Sequence, residues 1–291
     1  MTAIWLGFDT ESDVTQWAQQ PGLPITRAVV DESLAAVARS VEILRAHQVT
    51  ATYFLVGRLL EVAGPEYVAL LTGQDIECHT YAHNPVHAGH SCSISPAEMM
   101  DDVRRGLDFI EDYFGVRPRG LCAPGGAVDG MRGQRERLRI LWDAGIRFVK
   151  SDNWGPGPEM PVPYTPPYTY AEDGLPELWE LPGSGWHCTM LLPRGEGMQV
   201  SGPVIPGGPW PEHLPTKVDE AIDHIRQELD YTREHNLHYA PSWHPWSLYR
   251  FDPNLTMLEF LLDYAEEYDM PIRTYRQVYE MLVQGAKPEA V

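Results

Sequence analysis

AIWLGFDTE, residues 3–11, is a short apolar run that ends abruptly in acids. A strand covered on both faces needs apolar side chains on both, so this stretch reads as a buried strand feeding a site at its C-terminal end. Working outward, the chain alternates. Leu34, Val37, Ala38, Val41 and Leu44 recur at helical spacing over 33–46, and ATYFLVG (51–57) reads as a second buried strand. Asp75–Cys78 is a third strand. Ser95-Pro96-Ala97-Glu98 is a capping box with proline at the first helical position, which starts a helix that turns Val103, Leu107, Ile110 and Phe114 inward. The rhythm continues with strand Gly120–Ala123, helix Gln134–Ala144 stopped by Gly145, and strand Ile146–Lys150. Helix 216–234, strand His238–Ser242, helix Thr256–Tyr268, a short strand near Ile272 and helix Tyr275–Val283 complete it. Strand–helix alternation along the whole length predicts an α/β fold with parallel strands and right-handed crossovers, closed as a barrel; a doubly wound open sheet is the competing arrangement.

No second domain or internal repeat is visible, so residues 1–291 are expected to form one domain. Two segments break the pattern, 153–176 and 182–215, both rich in proline, the second also in glycine. Tyr164, Tyr168, Tyr170, Trp186 and Trp210 are interleaved with them, and aromatic rings need something to pack on. These segments are therefore expected to be ordered loops that wall a pocket or meet a second subunit of a homo-oligomer.

Charge narrows the function. Twenty-two Lys and Arg against 41 Asp and Glu give a net charge of −19, which excludes a nucleic-acid binder and disfavours an anionic membrane surface. There is no basic leader and no apolar run long enough to span a bilayer. The four cysteines, Cys78, Cys92, Cys122 and Cys188, form no CxxC pair. Such sparse use predicts reduced thiols and a cytoplasmic protein.

Four predicted strands end in polar residues, and in a parallel barrel those ends meet on one face. Asp9 and Glu11, two apart in an extended segment, point the same way and repel unless a cation lies near, or are an acidic cap for the segment that follows. His79 and His83 have the i, i+4 spacing that brings two imidazoles to one metal across a helical turn, or are two unconnected histidines. Pro124-Gly125-Gly126 is a turn whose backbone N–H groups could face a developing oxyanion, or a plain connection. His244, held by Pro245, is an acid/base candidate or a packed ring. His87 and His90 have HxxH spacing on a His-Ala-Gly-His loop, where solvated rings are the expectation.

FDTE (8–11), HTYAHNP (79–85), APGG (123–126), SDNW (151–154) and WHP (243–245) stand in one order, and ATYFLVG falls between the first two. This series resembles the motifs of the polysaccharide deacetylase family, the NodB-homology domain of carbohydrate esterase family 4, over roughly residues 4–275. Asn84 is inserted before the proline of the second motif. The resemblance implies a distorted (β/α)7 barrel with one divalent metal ion, zinc first, with cobalt, nickel or manganese as alternatives. Position by position it implies Glu11, His79 and His83 as metal ligands, with Asp13 in reserve for Glu11. It further implies Asp9 as catalytic base and His244 as general acid, with Asp152 and Trp154 lining the pocket or orienting that histidine. Trp179, Trp186 and His187 resemble the pocket segment of one branch of the family, with the tryptophans stacking on a sugar or simply packed in the interior, and Gly125 would add an oxyanion N–H. One departure stands out: Cys122 occupies the place where the family usually has an arginine paired with the base, as in a branch similar to peptidoglycan deacetylase-like imidases and allantoinase-like enzymes.

The expected reaction is therefore hydrolysis of a C–N amide bond, deacetylating a small N-acylated sugar or oligosaccharide by metal-activated water. Opening of a cyclic imide or ureide is the second expectation. A carbohydrate-binding homologue without catalysis is the rival from another class.

Overall fold

The structure, a computed structural model, describes residues 2–12, 25–154, 162–191 and 215–285. Asp13, Trp210 and the middles of both proline-rich segments lie outside the described residues. The first apolar run forms two short strands, β1 (Ala3–Trp5) and β2 (Gly7–Thr10), divided at Leu6. Then follow α1 (Arg27–Ala46), β3 (Thr52–Leu55), α2 (Gly57–Leu71), β4 (Asp75–Cys78), α3 (Pro96–Phe114), β5 (Gly120–Ala127), α4 (Arg135–Asp143) and β6 (Phe148–Asp152). An edge strand β7 (Tyr168–Tyr170) precedes β8 (Leu175–Glu180), and the chain continues with α5 (Val218–Glu234), β9 (His238–Tyr239), α6 (Pro245–Phe251), α7 (Thr256–Glu267), β10 (Ile272–Arg273) and α8 (Tyr275–Val283).

The strands run β2-β3-β4-β5-β6-β8-β7 in one sheet, parallel except for the antiparallel β7, and β10-β1-β9 in a second. Backbone hydrogen bonds join the two into a ring. Beyond β8, Ser184 donates to the Ala240 carbonyl and Cys188 to that of Ser242; on the other side of that segment Asp9 donates to the Trp243 carbonyl. This is the parallel α/β barrel expected from the alternation, distorted as the resemblance implies, with isolated bridges in place of a full ladder at its seam. No helix among the described residues is long and apolar enough to cross a membrane.

Two helices were not foreseen. Gly57 and the Gly64-Pro65 pair look like breakers, yet α2 runs through them with a kink at Ala63, because its apolar residues Leu59, Leu60, Tyr67 and Leu71 are all buried. The segment α6 follows His244 directly, with Pro245 in the first turn where its missing N–H costs nothing. The capping boxes of α3 (Ser95 with Glu98) and α8 (Thr274 with Gln277) are formed in full.

Inward-facing side chains form layers. Trp5, Phe54, Cys122, Phe148, Leu181 and Ala240 pack with Tyr275, Val278, Tyr279 and Leu282 of α8, which plugs one end of the barrel. A Cβ on Gly7 would meet Tyr275 at 2.7 Å, so that plug leaves no spare room. The polar site therefore lies at the opposite, C-terminal end of the strands, where the register sets Thr10, Leu55 and Cys78 side by side just before Glu11 and His79.

The loop carrying His79 and His83 rests on α3. A Cβ on Gly106 would lie 2.7 Å from the Thr80 carbonyl carbon and 2.9 Å from the Tyr81 nitrogen. Asp102, one turn earlier, accepts from the backbone N–H of Tyr81 and, through its carboxylate, from that of Ala82. Gly106→Ala is expected to destabilise the protein by about 1–3 kcal/mol through overpacking, despite the helix propensity alanine gains. Urea unfolding measures it; an unchanged or raised midpoint would show that the helix and loop are free to separate.

Candidate active site

Strand alternation builds the site. Along β2 and its extension, Gly7, Asp9 and Glu11 face inward; along β6, Phe148 and Lys150 do. Asp9 is 4% exposed and Glu11 1% exposed, and Lys150 is fully buried below them. The Lys150 Nζ donates to both Asp9 carboxylate oxygens, at 3.0 and 3.1 Å, and rests over the Phe54 and Tyr275 rings at 5.7 and 5.8 Å. Burial alone would raise the Asp9 pKa. Lys150 first, then His244 and His79, reverse this and bring it down to about 2. The cation missing from Cys122 is thus supplied one strand further on. Replacement of the usual arginine does not leave the acid unpaired, a point that sequence reasoning missed; a lysine closing the predicted strand Ile146–Lys150 was the available signal.

Glu11 is ringed by nitrogen. Its Oε2 lies 3.2 Å from His79 Nε2 and 2.5 Å from His83 Nε2; its Oε1 lies 3.3 Å from Trp246 Nε1 and 3.5 Å from His244 Nε2. Burial again opposes ionisation, but His83 and His244 outweigh it and hold the carboxyl well below its ordinary range. His79 and His83 do not share a helical turn as the spacing suggested. They sit in an irregular turn in which Thr80 and His83 both adopt left-handed backbone, at φ 59°, and the Thr80 hydroxyl accepts the His83 N–H.

The remaining ring nitrogen of His79 decides what this cluster can hold. His79 Nδ1 is 2.8 Å from the Cys122 carbonyl oxygen, which can only accept, so Nδ1 carries the hydrogen. In the neutral ring Nε2 is then a bare acceptor aimed at a carboxylate. Two lone pairs facing each other in a buried site call for a proton or a cation between them, and the N–H to backbone carbonyl contact is the usual support of a metal-binding histidine. The ligand atoms of Glu11, His79 and His83 all lie within 4.8 Å of one another. This donor set fits a divalent ion.

His244 bridges the two acids, with Nε2 3.8 Å from Asp9 Oδ2. Burial pushes its pKa down, against the pull of Glu11 and Asp9, so the resting ring is driven toward the neutral form rather than the imidazolium expected of a standing acid. Its other face is held by Cys188, whose Sγ lies 3.3 Å from Nδ1, 2.7 Å from the Ser247 hydroxyl and 3.0 Å from the His244 backbone nitrogen. Burial raises that thiol to about 12. Cys188 was not foreseen, because a cysteine in a proline-rich loop carries no signal of its neighbours.

Other expected residues take different places. The Asp152 carboxylate is 3.5 Å from the Tyr168 hydroxyl and sits beside Glu180 and Asp129; burial and those charges raise it to about 7. The contact that orients His244 is thus Cys188, not Asp152. Trp154 stacks in parallel on His187 and its indole N–H donates to the Gly125 carbonyl. Gly125 and Gly126 are left-handed at a register shift of β5, where the strand leaves its ladder with β6. Trp186 lines a cavity of about 30 Å³ with His187, Cys188, His224, Glu228 and Trp243. His87, expected to be solvated, is 7% exposed and meets the His90 ring edge-on.

Removing one partner of a buried ion pair typically costs about 3–5 kcal/mol, because the other charge is left without compensation. Lys150→Met is expected to cost that much at pH 7 in the metal-free protein. Asp9 is depressed in the folded state, so its stabilisation is present above about pH 4 and is lost as pH falls toward 2. The gap between wild type and variant should therefore close on acidification, and adding Asp9→Asn should restore part of the loss at pH 7. Urea unfolding across pH reads this; a small, pH-independent cost would show that the pair contributes nothing.

Residues 30–148 match the family model for polysaccharide deacetylase. That segment holds His79, His83 and Gly125, while Asp9, Glu11, Lys150 and His244 lie outside it. No curated protein matches the chain significantly by sequence. Among solved structures, one assigned to the polysaccharide deacetylases from Mycobacterium smegmatis is 18% identical with a TM-score of 0.72, covering 100% of this chain and 93% of that one. Another so assigned, from Pseudomonas aeruginosa PAO1, is 14% identical with a TM-score of 0.65 over 98% and 92% of the two chains. The Puue allantoinase is 13% identical with a TM-score of 0.66 over 98% and 91%. At these identities the structures show a shared fold. The segment match and the shared fold bear out the resemblance to the polysaccharide deacetylase family, and with it the reading of this chain as a hydrolytic, deacetylase-type enzyme.

Proposed function

We propose that the chain is a metal-dependent hydrolase of amide C–N bonds, acting in the cytoplasm on a small N-acetylated sugar or short oligosaccharide. The observation that carries this is Glu11, a buried carboxylate faced by three imidazoles, with ionised Asp9 alongside. Glu11, His79 and His83 would hold one divalent ion, zinc first. When bound, such an ion polarises the acyl carbonyl and brings the pKa of the attacking water toward about 7.

The chain's own residues do the rest. Asp9, kept ionised by Lys150, accepts the proton of the attacking water. A carboxyl with a pKa near 2 is a weak base, so it suits a water already made acidic and no other. From Asp9 the proton has a 3.8 Å route to His244 Nε2, which passes it to the departing amine. Cys188 holds the ring in that attitude. Gly125 is the proposed N–H donor to the oxyanion, and Trp154, Trp186 and Asp152 are assigned to the walls around the substrate. The whole of residues 1–291 acts as one catalytic domain in this reading, and a homo-oligomer is compatible with it.

The depth of the site favours a small substrate: Asp9, Glu11, His79 and His244 are all at most 5% exposed. The same observation favours a second reading, opening of a cyclic imide or ureide. Metal-loaded protein offered N-acetylated chitooligosaccharides should release acetate, and chelation should stop it. Ring opening of allantoin or a cyclic imide without acetate release would replace the first reading by the second; tight sugar binding with neither reaction would leave a binding protein. His79→Ala should lose the metal. Asp9→Asn should retain it and lose about 10²–10⁴-fold in turnover, and a fully active Asp9→Asn enzyme would remove Asp9 from the role of base.

A further inference from the structure

His244 has two nitrogens, and the function proposed above moves its proton through Nε2 alone. Its Nδ1 faces away from Glu11 and Asp9 into a separate cluster: Cys188 Sγ is 3.3 Å away, and the His187 ring centroid is 4.5 Å from that of His244. One ligand atom from each of His187, Cys188 and His244 can be chosen so that all three lie within 4.8 Å of one another. A tetrahedral ion with bonds of about 2.0–2.3 Å spaces its ligands by roughly 3.3–3.7 Å. The sulfur and Nδ1 already meet that spacing, and His187, which is half-buried, offers the third ligand from within the same cluster. The cavity of about 30 Å³ lined by His187 and Cys188 gives a small ion somewhere to enter.

We propose that His187, Cys188 and His244 form a second cation site, selective for borderline-to-soft divalent ions such as zinc, cobalt or cadmium, back to back with the Glu11 carboxylate across the His244 ring. One thiolate with two imidazoles is a borderline-soft donor set, unlike the carboxylate and two imidazoles of Glu11, His79 and His83. Binding forms one metal–sulfur and two metal–nitrogen bonds and releases the Cys188 thiol proton to solvent. With Nδ1 ligated, the His244 ring has no nitrogen left to take up a proton while Nε2 carries its hydrogen, so occupancy withdraws it from proton transfer. The site itself is independent of the hydrolase reading; only this consequence for turnover rests on it.

The test is a titration of the metal-free full chain with cobalt(II), followed by absorption spectroscopy and by dialysis with metal analysis. Two cobalt ions per chain are expected, one of them bringing a thiolate-to-cobalt charge-transfer band. Cys188→Ser should lose that band and one ion. His187→Ala should weaken the band-forming site by on the order of tenfold or more while remaining folded, and it carries the test if Cys188→Ser does not fold. Cys92→Ser and Cys122→Ser should keep the band. Glu11→Gln should lose the other cobalt and keep the band, so loss of hydrolase activity and loss of the second site are read separately. No thiolate band in the wild type, a band that survives Cys188→Ser, or one abolished by Cys122→Ser would overturn the proposal.

Discussion

A buried ammonium under a buried carboxylate is the constraint from which the rest of the site follows. Neither Lys150 nor Asp9 could remain ionised alone inside the barrel, since an uncompensated buried charge costs several kcal/mol and would be neutralised instead. Paired, they stay charged, and the aromatic faces of Phe54 and Tyr275 give the ammonium a floor that is favourable electrostatically as well as sterically. Above that pair stands a second carboxylate, Glu11, with imidazoles in place of a cation. Two acids and one lysine leave the cluster one charge short, and His79, whose Nδ1–H is held by the Cys122 carbonyl, turns Nε2 to Glu11, where a proton or a metal ion must sit between them.

The scaffold is arranged to keep this imbalance in place. An aromatic plug around Tyr275 fills the opposite end of the barrel, so the polar layer cannot sink. At the site end the chain accepts conformations that cost energy: His83 and Thr80 are left-handed without being glycine, and β5 abandons its register at Gly125 and Gly126. Contact with α3 at Gly106 and Asp102 holds the first of these distortions.

Much of this was legible in the sequence, for identifiable reasons. The capping box at Ser95 and the strand Asp75–Cys78 were readable because local chemistry alone determines them. The order of the five motifs announced Asp9, Glu11, His79, His83 and His244 as one cluster, and the fold brings those five together. What stayed hidden depends on tertiary contact. Helix α2 survives Gly64-Pro65 because burial of Leu59, Leu60 and Tyr67 outweighs propensity. The partner of Asp9 lies 141 residues away on another strand, and the thiol facing His244 lies 56 residues away in a loop. Neither distance leaves a periodic trace. The HxxxH pair was placed correctly near Glu11 but for the wrong local reason, since a left-handed turn rather than a helix converges the rings.

The split of the first strand at Leu6 has a consequence for how the chain reaches this state. The lower half, β1, is flanked by β9 and β10, whereas the upper half, β2, lies against β3 and Trp243. Strands β2 to β6 can assemble from neighbours in sequence, but among the described residues β1 has no ladder partner before residue 238. Strand β1 therefore waits for its ladder partners until more than two hundred further residues have been made. Such pairings are entropically slow, and an unsatisfied apolar edge during that interval invites association. Ring closure should be the late event in biogenesis, and His244, delivered by the same closing segment, arrives last among the five clustered residues.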